Sequence, residues 1–275
     1  MADHRSDSDA RLERTQAAAW SMRGPATGIT LDDVRRMDLV ELATFAVAHP
    51  LLSVVSLELQ RLPRPSKPAA GRVVVRAYRE GHATRHVTAS LLALMPTEGG
   101  YEVAAEILRI ARGVRGAWGE GPRAADAMVV HDASAACPVL LELICDDTVN
   151  HGLRRPIALI LNRLEDARIV PAICDAVRAG RISPVLGAAA IQSHPIGMDR
   201  LVEWLGTEAG EVANLAFDVI RRGSLLDVTV VQAARAAFDT GRLKLGNGER
   251  ERFEQRWADL TGLQAWAATI PKDPR

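Results

Sequence analysis

The chain has 275 residues, 48% hydrophobic and only 4% aromatic, with 34 basic against 34 acidic side chains and a pI of about 7.1. Such a balance excludes a uniformly basic nucleic-acid binder, and an Ala- and Leu-rich, aromatic-poor composition suits thin helical layers better than a β-sandwich. No run of eighteen apolar residues occurs and no basic stretch followed by an apolar one opens the chain, so the expectation is a cytoplasmic protein without a membrane span. Cys137, Cys145 and Cys174 form no CxxC pair and read as free, buried thiols.

Residues 1–27 are polar and poor in large apolar side chains, which predicts a flexible N-terminal segment. A repeat array is expected over 28–245. It opens with Thr30-Leu31-Asp32-Asp33, which resembles a capping box, and a helical pair at Asp38–His49 and Leu51–Leu62. Leu62–Gly71 reads as a stiff, non-helical proline connector. Helices are predicted at Gly71–Gly81, Ala83–Met95 and Tyr101–Arg112. The glycine-rich loop Gly113–Pro122 then interrupts the spacing, and helices resume near Arg123–Ala136 and Pro138–Asp146.

The most regular stretch is Leu153–Gly180. Leu153, Ile157, Ile160, Leu161 and Leu164 recur at steps of three and four and share one helix face. Pro156 is placed in the first turn of that helix. Asp166 is placed as the N-cap of a second helix, whose stripe is Ile169, Val170, Ile173 and Val177 and which Gly180 closes. Ser183-Pro184 starts the next helix. Met198–Gly206, Glu211–Arg222 and Leu226–Asp239 follow, with Gly223 and Gly241 as C-caps. Val139, Ile169, Met198 and Val228 are separated by 30, 29 and 30 residues, the period of a helical solenoid. A last helix, Glu249–Ile270, carries Phe253, Trp257, Leu260 and Trp266 and reads as a cap within a C-terminal segment, 246–275. No stretch alternates as a strand, so the fold class is all-α.

Arg154, Arg155, Ala158, Arg163, Leu164, Asp166, Val170, Pro171 and Ala172 follow a known order: an Arg pair, small and apolar residues, Arg-Leu, an acidic turn, then Val-Pro-Ala. On these residues Leu153–Ile173 resembles a HEAT repeat of the short bacterial kind also found in phycobilin lyases (the PBS-lyase-type HEAT-like family). The likeness extends loosely over residues 30–240. Asn162 departs from the small residue usual before the Arg. The resemblance implies a right-handed α-solenoid of helical hairpins, and it implies no activity.

His131, Asp132 and Ser134 are neighbours in sequence, but no GxSxG elbow exposes a nucleophile. Asp147 and His151 are four apart, with Asp146 and Asn150 beside them. Asp146, Asp147 and Asn150 read as helix-end caps, because a metal site needs three or four ligands. The Gly113–Pro122 loop matches neither GxGxxG nor a Walker pattern. No His is followed by Glu, which removes the iron-ligand pairs of deoxyhypusine hydroxylase, a HEAT-type enzyme. Catalytic, metal and cofactor residues are therefore not expected.

Charge is uneven. Arg61–Arg123 holds eleven Lys and Arg against five Glu, a net of plus six. The residues expected to meet a partner are Arg72, Arg76, Arg79, Arg109, Arg112, Arg115 and Trp118 in this region, and Arg168, Asp175 and Arg178 beyond it. Mixed signs on the second helices suit a protein partner, and the expected function is a non-enzymatic scaffold for protein–protein interaction or complex assembly. The alternatives are a nucleic-acid-binding or DNA-repair module using the Arg61–Arg123 region, and a lyase or chaperone of the phycobilin-lyase type.

Overall fold

The computed structural model describes residues 31–49, 68–113, 119–208, 210–222 and 228–243, with isolated positions between 248 and 262. The predicted N-terminal segment, the Leu51–Leu62 helix, residues 62–67 of the connector, residues 114–118 of the glycine loop and the Gly223 cap lie outside them. Among the described residues the chain is all-helical, with no strand. In chain order the helices are α1 (Leu31–Arg36), α2 (Leu39–Ala48), α3 (Pro68–Arg79), α4 (Arg85–Leu92), α5 (Gly100–Arg112), α6 (Glu120–His131) and α7 (Ala133–Cys145). They continue as α8 (His151–Leu161), α9 (Ile169–Arg178), α10 (Pro184–Ile191), α11 (Met198–Thr207), α12 (Glu211–Arg222) and α13 (Val228–Asp239).

The chain divides into two compact units. One holds the described residues up to Leu143 together with Thr148–Ile157; the other holds Ile144–Asp147 and the described residues from Ala158. In the first, α2, α4 and α6 pack side by side as one layer and α3 packs on α5 in a second, with α2 to α5 each also touching the next helix. In the second unit α10 packs on α12, and α11 on α13, in the same alternating plan. Helices of both units thus bury apolar stripes against neighbours one or two positions along the chain, and α9 also packs on α12, three along, which a single short helix could not do alone.

Local chemistry explains most boundaries. Asp38 caps α2 by accepting from the Val40 and Glu41 N–H groups, and the Glu41 carboxylate accepts from the Asp38 N–H, a complete capping box. Ser183 Oγ accepts from Leu186 N–H at 3.3 Å, with Pro184 in the first turn as expected. Gly180 and Gly241 take the left-handed conformation, both at φ 70°, that ends a helix cheaply only at glycine. Described positions between 248 and 262 are helical, and Arg235 of α13 reaches them. Its guanidinium pairs with Glu254 at 2.6 Å and lies 5.7 Å from the centre of the Trp257 ring.

Several expectations need correction. Pro68–Gly71, read as connector, form the first turn of α3, where a proline loses no helical hydrogen bond. Thr97 Oγ1 donates to the Pro68 carbonyl at 3.0 Å, and a Cβ on Gly71 would come within 2.6 Å of Thr97 Cβ. The glycine there allows a close approach and does not mark a linker. Glu120–Pro122 likewise belong to α6 and not to a loop. Pro138 and Pro156 do not open helices: each is the sixth residue of one. The true starts are set by Asp132, which accepts from Ala135 N–H at 2.9 Å, and Asn150, which accepts from Gly152 N–H at 2.8 Å. The interval from Ala133 to Ile169 is consequently 36 residues (169 minus 133), while α9, α11 and α13 keep the predicted 29 and 30.

Asn162, the departure from the HEAT pattern, has a structural reason. Its amide donates to Ser193 Oγ at 2.9 Å and its oxygen accepts from Ser193 N–H at 2.7 Å. The His194 ring nitrogen also meets the Leu161 carbonyl at 3.2 Å. These bonds join the ends of α8 and α10 at equivalent places, 31 residues apart. A small residue at 162 would leave the Ser193 N–H without that acceptor.

Candidate functional site

Two surfaces gather the residues expected to meet a partner. The first, in the second unit, is a groove of about 400 Å³ between α9, α11 and the turn before α11. The period of α9 turns Ile169, Ile173, Cys174, Ala176 and Val177 inward and leaves Asp175 and Arg178 exposed. Val170, Pro171, Cys174, Ile196 and Trp204 give the groove its apolar lining, and Asp175, Arg178 and Arg200 edge it. Arg178 donates to Asp175 at 2.9 Å and to Glu208 at 3.1 Å. Arg200 donates to Glu203 at 2.9 Å while its guanidinium lies 5.7 Å from the centre of the buried Trp204 ring. Exposed pairs of this kind add little stability, but they hold long side chains in place around the apolar strip.

Of the predicted residues, Asp175 and Arg178 line this groove and Arg168 does not. Arg168 is folded onto Asp166, with guanidinium contacts down to 2.6 Å, and its own backbone N–H also donates to Asp166 Oδ1. Asp166 is thus a turn-forming residue three positions ahead of α9, and the N-cap position is Arg168, without a side-chain cap. Ile196 and Trp204 carry no sequence expectation, and Arg200 enters it only as one of the mixed charges, with Asp199 and Glu203, on its helix. Their signal was the Arg200–Trp204 spacing of four on α11.

Cys174 lies at the base of the groove. Burial pushes its thiol up to about 11, the nearby Arg178 only partly opposing this. The folded protein therefore holds this proton at pH values where an ordinary thiol, near 9, has lost it. The corresponding stability is complete below pH 9 and is lost as pH rises from about 9 to about 11. Melting temperatures of wild type and Cys174→Ala should accordingly converge across that window, and Cys174 should resist thiol reagents at pH 8.

The second surface, in the first unit, is the outer face of α3. Arg72, Arg76 and Arg79 are all exposed and succeed one another at steps of four and three. Arg109 and Arg112 are exposed on α5 together with Glu102 and Glu106, and Tyr78 donates to Glu106 at 3.3 Å. Arg72, Arg76, Arg79 and Arg109 make no ion pair among the described residues, whereas Arg85, Arg178, Arg200 and Arg235 each do. Arg115 and Trp118 lie outside the described residues.

The His131, Asp132 and Ser134 neighbours are not assembled for chemistry. His131 Nδ1 bonds to the Ala127 carbonyl of its own helix at 2.7 Å, and its Nε2 is buried against Gly100 with no partner. Asp132 caps α7. Among the described residues no group of three or more His, Cys, Asp or Glu is placed to hold a metal ion, and no helix is long and apolar enough to cross a membrane. Comparison with known proteins finds no matching family model, no matching curated protein and no matching solved structure.

Proposed function

We propose that the chain is a cytoplasmic, non-enzymatic scaffold, a right-handed α-solenoid of HEAT-like hairpins that binds another protein. The observation that carries this reading is the α9–α11 groove, whose apolar lining lies among charges of both signs. That combination fits a peptide or helix offering apolar anchors between charged flanks, with charge setting orientation and the anchors supplying affinity. The intervals of 29 and 30 residues between the starts of α9, α11 and α13 support the repeat assignment.

The test is affinity purification at native expression, comparing wild type with Ile196→Asp, which places a carboxylate in the groove at a half-buried position. A stoichiometric protein partner is expected with wild type and is lost with the variant, at unchanged circular dichroism. The reading fails if wild type recovers no stoichiometric partner, or if the variant retains it in full.

A further inference from the structure

The arginine stripe of α3 is a second surface that the groove does not explain. Residues at i, i+4 and i+7 lie one above another, and a rise of about 1.5 Å per residue sets the three Arg72–Arg79 Cα atoms within roughly 10 Å along the axis. Like charges at these spacings repel. The stripe therefore costs the helix stability, and among the described residues no carboxylate pairs with it to offset the cost. The first turn of α3 also carries no acidic residue.

One end of the stripe is held in position. A Cβ on Gly99 would come within 3.2 Å of the Arg79 guanidinium, so this side chain lies against the start of α5. Gly99 is the N-cap of α5 and offers no side-chain cap, so the positive end of that helix adds to the potential beside Arg79. The positive zone is also narrow. Glu80 follows Arg79 directly, and the exposed Glu98 and Glu102 stand on either side of Gly99 and Gly100. A nucleic-acid duplex carries about one negative charge per 1.7 Å of axis on two strands, and would bring phosphates against these three carboxylates. A single row of three carboxylates would match the arginines and end before Glu80, which follows four residues after Arg76 on the same face. Base stacking has little support here either, since the Tyr78 hydroxyl is tied to Glu106.

We infer that the α3 face of the first unit docks an acidic helical segment of a partner protein, its Glu or Asp side chains at i, i+4 and i+7 facing Arg72, Arg76 and Arg79. Such a row matches the stripe charge for charge, and Arg–carboxylate pairs made in two-pronged geometry give register as well as attraction. The stripe belongs to the first unit and the groove to the second and they share no residue, so loss of one function leaves the other readable.

The experiment uses the full chain and a fluorescein-labelled helical peptide carrying Glu at i, i+4 and i+7, followed by anisotropy at low and at physiological salt. The Glu peptide is expected to bind, more weakly as salt rises, and its Gln counterpart is not. Arg72→Glu/Arg76→Glu should weaken binding by at least about tenfold. Arg155→Glu, an exposed arginine on α8, should not change it. Should the reversal variant lose helicity, Arg72→Gln/Arg76→Gln carries the same expectation. The inference is overturned if the Glu peptide does not bind, if Arg155→Glu weakens it equally, or if a labelled DNA duplex binds more tightly than the peptide.

Discussion

Ile173→Ala is expected to lower the stability of the protein by about 2–5 kcal/mol, read as a fall in the urea midpoint at unchanged slope. Ile173 is wholly buried on the inner face of α9. A Cβ on Gly187 of α10 would come within 3.2 Å of Ile173 Cγ2, 2.9 Å of Val177 Cγ2 and 3.1 Å of Leu215 Cδ1, so three helices meet at this point. The cavity left by the truncation is bordered by backbone at Gly187, which has no side chain to swing into it. The loss should therefore fall in the upper part of the range, and Ile173→Val should cost about 0.5–1.5 kcal/mol. Ile157, equally buried in the first unit, carries the same 2–5 kcal/mol expectation. An unchanged melting temperature in either alanine variant would contradict the core assignment.

Ile173 was also readable from periodicity, and the reason shows which elements were legible. Stripes at steps of three and four need only the chain's own pattern, and they placed Ile157, Ile160, Leu161, Ile169, Ile173 and Val177 inside, where they are. Boundaries were legible where one residue decides them: Ser183-Pro184 opens α10, and Gly180 sits in a conformation that other residues avoid. Boundaries failed where proline was weighed against a polar cap. Pro138 and Pro156 each forfeit one backbone hydrogen bond inside a helix, yet the helices run through them. Asp132 and Asn150 had already satisfied N–H groups of the first turn, and buried stripes hold the rest. The same over-reading made a connector of Pro68–Gly71, where proline suits a first turn and glycine suits contact with Thr97.

The groove was legible only in half. Asp175 and Arg178 fall on the exposed side of a strongly amphipathic helix, and local pattern suffices to find them. Ile196, Arg200 and Trp204 join them because α9 lies beside the start of α11, whose first residue comes 29 positions after that of α9 (198 minus 169). Helical period says which side of a helix is wet, not which other helix borders it. The arginine stripe shows the opposite limit. Its charge was visible in the sequence, but that its three arginines make no ion pair among the described residues while Arg178 and Arg200 do depends on side-chain placement.

Gly100→Ala should destabilise the first unit by about 1–3 kcal/mol or more, although alanine is the better helix former by up to about 1 kcal/mol. The new Cβ would come within 2.0 Å of His131 Nε2 and 2.5 Å of Cδ2, and the ring cannot tilt away freely. Its other nitrogen is bonded to the Ala127 carbonyl at 2.7 Å, so retreat from Gly100 breaks that bond. His131→Ala alone removes the bond and leaves a space beside Gly100, and should also destabilise. The two changes should not add: in Gly100→Ala/His131→Ala the methyl group enters the space the ring vacated. A double-mutant cycle by chemical denaturation is expected to return a coupling of about 0.5–3 kcal/mol in the compensating direction. Additive losses would mean that Gly100 matters for some reason other than the ring. Strong coupling would explain both the glycine that opens α5 and the buried imidazole nitrogen that faces it, and would make His131 a packing residue, not a catalytic one.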